Sequence, residues 1–247
     1  MRVDATNYAE ATERILAWAG EGRSCYACVA AVNNIMEARA SREYQTVMRE
    51  AALVTSDGMP LVWALRALGV RDATRVYGPD LMPGVLESAA RHGVPVGFYG
   101  GSKAVLNALL RKTAIRFPGL RVAYAWSPPF RALAPEEDAA QVQAMNDAGV
   151  RILFVGLGSP KQDRWMHAHQ CNIHAVMLGV GAAFDFLAGA KPQAPRWMQR
   201  SGLEWLFRLS TEPLRLGPRY LSQNPRFAVL ALAQLLRARF HEHRRTA

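Results

Sequence analysis

The chain has 247 residues, half of them apolar, enough for one sizeable core with an appendage and too few for two large domains. Its net charge of +10 is concentrated at one end: residues 191–247 carry 11 Lys or Arg against three acids, whereas residues 1–190 carry 19 against 17. No apolar run approaches the roughly 20 residues of a membrane span, and no amino-terminal stretch pairs a charged start with an apolar middle, so a cytoplasmic protein is expected.

Tyr26 to Val32 reads as a strand, which points Cys25 and Cys28 to opposite faces of a sheet. With Cys171 the cysteines number three and cannot all pair, so buried, reduced thiols are expected in place of a metal or redox site. Ser41 can cap a helix to about Glu50, and Leu53 to Thr55 is the next strand. Asp57 follows at once, before Gly58 and Pro60, so a carboxylate is delivered to the rim of a buried strand. Pro60 to Leu68 and Asp80 to His92 read as helices stopped by Gly69 and Gly93. Pro95 to Tyr99 is a strand, and Gly100-Gly101-Ser102 turns the chain into a helix through about Arg116.

Leu120 to Ala125 and Val150 to Val155 read as strands around a helix over Pro135 to Ala148, whose opening acids Glu136, Glu137 and Asp138 suit the helix dipole. Gln162 to Gln170 is predicted helical. His167 and His169, two apart, do not share a face there and read as solvated. Ile173 to Val180 returns to the sheet before Gly181.

Strands separated by helical crossovers predict an α/β domain over residues 1–190, a mostly parallel sheet covered on both faces. Such sheets bind ligands beyond the carboxyl ends of their strands. Asp57, Gly100-Gly101, the Gly156 to Gln162 loop and Gly179 to Asp185 all fall at that edge. The carboxylate on one junction and the glycines and polar groups on another are what a group-transfer enzyme acting on a phosphate-bearing substrate needs.

Residues 191–247 change character. Pro192, Pro195, Pro213, Pro218 and Pro225 are expected to divide them into short helical pieces, including Leu203 to Leu209 and Arg226 to Phe240. Aromatics mixed with arginine (Trp197, Trp205, Phe207, Tyr220, Phe227, Phe240) suit the headgroup layer of an anionic membrane, ahead of a solvated helical surface or a nucleic-acid face.

Neither a dinucleotide fingerprint nor a Walker lysine is present, which weakens oxidoreductase, epimerase and P-loop readings. There is also no Asp-x-Asp pair to hold a divalent ion against a nucleotide-sugar diphosphate. Six segments in order (Thr55-Ser56-Asp57-Gly58, Arg75 to Leu81, Phe117 to Leu120, Gly156 to Trp165, Gly179 to Asp185 and Gly202 to Arg208) resemble the WecG/TagA/CpsF glycosyltransferases over residues 25–225.

That resemblance implies a Rossmann-like domain with a helical, membrane-associating carboxyl-terminal appendage. It also implies inverting, metal-independent transfer of a hexose or N-acetylhexosamine from a UDP-sugar to a polyprenyl-diphosphate-linked sugar, with no cofactor, at the inner face of the membrane. Asp57 matches the family's base; a cap on the following helix is the bland alternative. Asn33, Gly100, Gly101, Gly156, Gly158, Pro160, Gln162 and Asp185 fall where the family binds the donor. Arg75, Asp80, Arg208, Arg215 and Arg219 fall where it meets the acceptor or diphosphate, with an Arg75–Asp80 ion pair as the alternative for those two.

The chain departs from the family's pattern at Ala31, where many members carry threonine, and at Ser127 to Phe130. These departures resemble the exopolysaccharide branch and leave the donor sugar open, as self-association is left open. The rival class is a noncatalytic nucleotide- or nucleic-acid-binding protein using the basic tail.

Overall fold

The computed structural model describes residues 2–246; the side chains of Arg215, Arg219 and residues 239–246 lie outside the description, and with them that of Phe240. The chain opens with helix α1 (Tyr8–Gly20), capped by the Asn7 side chain, a segment to which the sequence assigned no element. It continues through β1 (Cys25–Ala30), α2 (Val32–Ala40), α3 (Arg42–Glu50), β2 (Leu53–Ser56), α4 (Met59–Ala67) and α5 (Gly78–His92). Next come β3 (Val96–Gly100), α6 (Lys103–Arg116), β4 (Val122–Trp126), α7 (Pro135–Asp147), β5 (Ile152–Gly156), α8 (Lys161–His169) and β6 (Val176–Gly179). Four helices close the chain: α9 (Ala183–Ala188), α10 (Arg196–Arg200), α11 (Glu204–Thr211) and α12 (Pro213–Thr246).

All six strands are parallel, in the order β2-β1-β6-β5-β3-β4. Period-two alternation splits their side chains between two cores. Cys25, Ala27, Leu53, Phe98, Phe154 and Leu178 pack with α1, α5, α6 and α9 on one face. Tyr26, Cys28, Val54, Tyr99, Val155 and Met177 pack with α2, α3 and α8 on the other. Both faces are therefore buried and the sheet must be read at its ends, where β1, β2 and β6 lie side by side and deliver Ala31, Asp57 and Val180-Gly181 to one place.

Four expectations need correction. The first strand ends at Ala30 rather than Val32, because the Asn34 side chain accepts from the Ala31 N–H at 3.0 Å and starts α2 there. The prolines at 218 and 225 do not break the tail; both lie inside the single helix α12, whose packing against α2 and α11 overrides local propensity. Cys171 is exposed in the turn after α8, although Cys25 and Cys28 are buried on opposite faces as expected.

The histidines are not simply solvated either. His169 is buried, stacked on Trp165 and held 2.7 Å from Asp138 by Nε2, while His167 lies 2.9 Å from Glu50. The sequence could not show which neighbouring helices would cover them.

Candidate active site

At the carboxyl ends of β1, β2 and β6 the surface folds inward as two lobes that share Ala31, Asn33, Asp57 and Arg208. One lobe runs under β6 and is walled by Tyr77, Gln162, Gly179 and Gly181. The other faces the appendage and is walled by Met59, Pro60, Arg75, Trp205 and Tyr220. Asp57 stands at their junction.

Asp57 reaches that position because β2 ends one residue earlier and its backbone N–H donates to Ala30 O at 2.8 Å, extending the pairing with β1. It does not cap α4, whose N-cap is Gly58 with no side-chain bond. Its side chain keeps 20 % of its surface, yet Oδ1 is fully covered and has no hydrogen-bond partner. Burial pushes the carboxyl up from its ordinary 3.8 to about 7, against the pull of Arg75; Glu204 adds to the rise, while Arg208 and the Gly78 N–H oppose it. A carboxylate half-ionised near neutrality, in a cleft, is tuned for proton transfer.

Arg75 organises the surroundings. Its Nε donates to the backbone oxygen of Asp57, its Nη2 is paired with Glu204 of α11, and the same Nη2 stands 3.9 Å from Asp57 Oδ1. The guanidinium also lies over the Tyr77 ring at 4.1 Å. The Arg75–Asp80 pair therefore does not form. Asp80 sits in the first turn of α5 and lines a separate groove with Tyr8, Glu87 and Arg91. Glu204, in a segment singled out by the sequence, was not expected in the site; only the tertiary approach of α11 to β2 brings it there.

Gln162 is buried at the start of α8, and its Oε1 accepts from the Gly158 N–H at 3.0 Å. Glycine at 179 makes room for it, since a Cβ there would stand 2.9 Å from Gln162 Nε2. Beneath the loop lies a polar network that the sequence did not reveal. Asp163 accepts from the Tyr44 and Ser159 hydroxyls at 2.6 and 2.7 Å, and Asn34 Nδ2 joins all three. Burial raises the Asp163 carboxyl, against hydrogen bonds from Tyr44, Ser159 and Cys28. The network clamps the loop from Gly158 to Pro160 onto α2 and α3, and so fixes Gln162.

The remaining expected residues are placed as follows. Gly158 lies beside Gly181 and Pro160 begins α8 after the cis Ser159–Pro160 peptide, but neither lines a lobe. Gly100, Gly101 and Gly156 do not line either lobe. A Cβ on Gly156 would stand 2.7 Å from the Phe184 ring, and one on Gly100 would stand 2.6 Å from the Gly156 backbone, so these glycines serve close packing. Asp185 is in the first turn of α9, half-buried, between Ala182 and Phe186, which do line the β6 lobe. Arg215 and Arg219 are helical positions of α12 whose side chains are outside the described ones. Among the described residues no group of three His, Cys, Asp or Glu side chains is placed to hold a metal.

The family described as "Glycosyl transferase WecG/TagA/CpsF family" matches residues 1–241 of the chain. The chain belongs to this family. It is a glycosyltransferase, which sets aside the noncatalytic alternative. It is similar to an N-acetylglucosaminyldiphosphoundecaprenol N-acetyl-beta-D-mannosaminyltransferase of Bacillus spizizenii, 29 % identical over 180 residues, 72 % of this chain and 68 % of that protein. In this glycosyltransferase the appendage supplies Glu204, Trp205 and Arg208 to the cleft, so both parts of the chain build the site.

Proposed function

We propose that this glycosyltransferase moves a hexose or N-acetylhexosamine from a UDP-sugar to a sugar carried on a polyprenyl diphosphate, with inversion and without a metal. The observation that carries the reading is Asp57, poised near pH 7 at the junction of the two lobes and faced by Arg208. The Bacillus spizizenii relative is named for an acceptor of that class.

The donor is assigned to the β6 lobe, where Gln162, Asn33 and the backbone at Gly179 to Gly181 can meet sugar and phosphate. The acceptor sugar is assigned to the lobe under the appendage, whose Trp205 and Tyr220 rings pack edge to face and suit a sugar's apolar face. The Asp57 carboxylate takes the proton of the acceptor hydroxyl as its oxygen bonds to the anomeric carbon. The bond from that carbon to the diphosphate oxygen breaks on the opposite face, and the leaving diphosphate takes the electron pair. Arg208, which lines both lobes, is placed to neutralise it.

No helix among the described residues is long and apolar enough to cross a membrane. The appendage instead exposes Trp197, Leu206, Leu214 and Leu221 within a basic segment, which supports peripheral binding to an anionic inner membrane face. Anionic vesicles should pellet the protein, and a Leu214→Asp, Leu221→Asp double variant should stay in solution.

The deciding experiment tests Asp57→Asn with UDP-glucose, UDP-N-acetylmannosamine and related donors against a lipid-diphosphate sugar, with mass detection of product. UDP binding should persist while transfer falls by about two orders of magnitude or more. Unchanged turnover would remove Asp57 from the mechanism.

A further inference from the structure

Beside the acceptor lobe a second depression runs between α2 and α12. Met36, Ala40, Pro225, Val229 and Leu230 give it a mostly apolar surface, Glu37, Arg39 and Arg226 also line it, and it shares Gln223 with the acceptor lobe. Its volume of about 690 Å³ lies within the range of ligand clefts, roughly 300–1,000 Å³. The sides are held apart by docked helices, since Phe227 packs α12 into the core that α2 and α3 share. Val229 is nonetheless 67 % exposed, an aliphatic side chain facing an open apolar channel. The two depressions adjoin at Gln223, and the groove's further lining on α12, Pro225 to Leu230, lies beyond it along the helix.

The geometry points to this groove as the binding site for the isoprenoid chain of the acceptor, with the first isoprene units leaving the acceptor lobe past Gln223 toward Val229. The proposal rests on the assigned reaction, because only an acceptor with a hydrocarbon chain needs an apolar exit from the cleft. Although Glu37, Arg39 and Arg226 also line it, most of the groove's surface is apolar, which suits a series of methyl-branched units: burial gives affinity in proportion to area, without demanding one register. Gln223 to Val229 covers about 9 Å of helix, so a single five-carbon unit attached at the diphosphate stops short of Val229 while a longer chain passes it.

The test compares kinetic constants in detergent micelles for two acceptors, the same sugar diphosphate on an eleven-unit polyprenol and on a single isoprene unit. The variants are Val229→Asp and Ala40→Trp, both at exposed positions, the first making the wall charged and the second filling the groove. Each should raise KM for the long-chain acceptor roughly tenfold or more, the loss of burying a few methylenes. KM for the short-chain acceptor, KM for the donor and kcat should remain within about twofold, and unaltered melting should show that the fold is intact. Equal effects on both acceptors, or none on the long one, overturn the groove assignment. So does a parallel loss of vesicle pelleting, which would make the strip a membrane contact. If the unmutated protein transfers to neither acceptor, the assigned reaction itself fails and takes the groove with it.

Discussion

Replacing Glu204 by glutamine removes the carboxylate paired with Arg75, and it should move the pH dependence of the reaction. Glu204 and Asp57 both approach Nη2 of Arg75, Asp57 Oδ1 at 3.9 Å and Glu204 closer, so the two carboxylates lie within about 6 Å of each other. Two like charges at that spacing repel by roughly 0.7 kcal/mol in a water-like medium and by roughly 3 kcal/mol at an effective dielectric of about 20. Since about 1.4 kcal/mol corresponds to one pH unit, Asp57 in Glu204→Gln should ionise about half to two pH units lower. Arg75, no longer neutralised by Glu204, acts in the same direction.

A general base works ionised, so kcat/KM of the unmutated enzyme should rise through about pH 7 and be lost below it. The acidic limb of the variant should have its midpoint between about pH 5 and 6.5, read from initial rates across about pH 5 to 9. A limb that stays put or moves upward would refute the shared-arginine account. A flat profile would show that Asp57 does not limit the rate.

Three further outcomes follow from the same geometry. The Asp57 carboxyl binds its proton more tightly in the folded protein than in the unfolded chain, so its contribution is favourable below about pH 4 and is lost as pH rises through about 7. Asp57→Asn should therefore melt higher than the unmutated protein at about pH 8, by at most about 4 kcal/mol of stability, with the gap closing toward pH 4; equal melting at pH 8 would contradict the burial of that charge. Gly156→Ala should cost about 1–3 kcal/mol and lower the melting temperature by several degrees in calorimetry, because the new methyl meets the buried Phe184 ring. Tyr44→Phe removes the hydroxyl that donates to Asp163 and should cost roughly 1–3 kcal/mol in a denaturant titration. It should also raise KM for the donor, as the loop holding Gln162 loosens; stability loss without a KM change would separate the network from the site.

Strand positions, the parallel sheet and the edge where the site forms were legible in the sequence because buried strands and their glycine and proline stops are local patterns. Asp57 was legible for the same reason, as a carboxylate one residue past a buried strand. The long helix α12 was not: Pro218 and Pro225 argue locally for breaks, and only its seat against α2 and α11 holds it continuous. Gly100, Gly101 and Gly156 stood in the right loops yet face Phe184 and one another, since a glycine reads alike whether it makes room for a ligand or for a ring.

What the sequence determined by itself is the sheet, the delivery of Asp57 to its carboxyl edge and the family. Composition also set the basic, aromatic character of the tail. Tertiary structure alone decided that α11 returns to β2, so that Glu204 pairs with Arg75 and Arg208 overlooks Asp57 from residues 129 and 151 positions further along the chain than their partners. Ionisation in a cleft depends on which charges and how much protein surround a group, and those neighbours come from distant segments that no local pattern encodes.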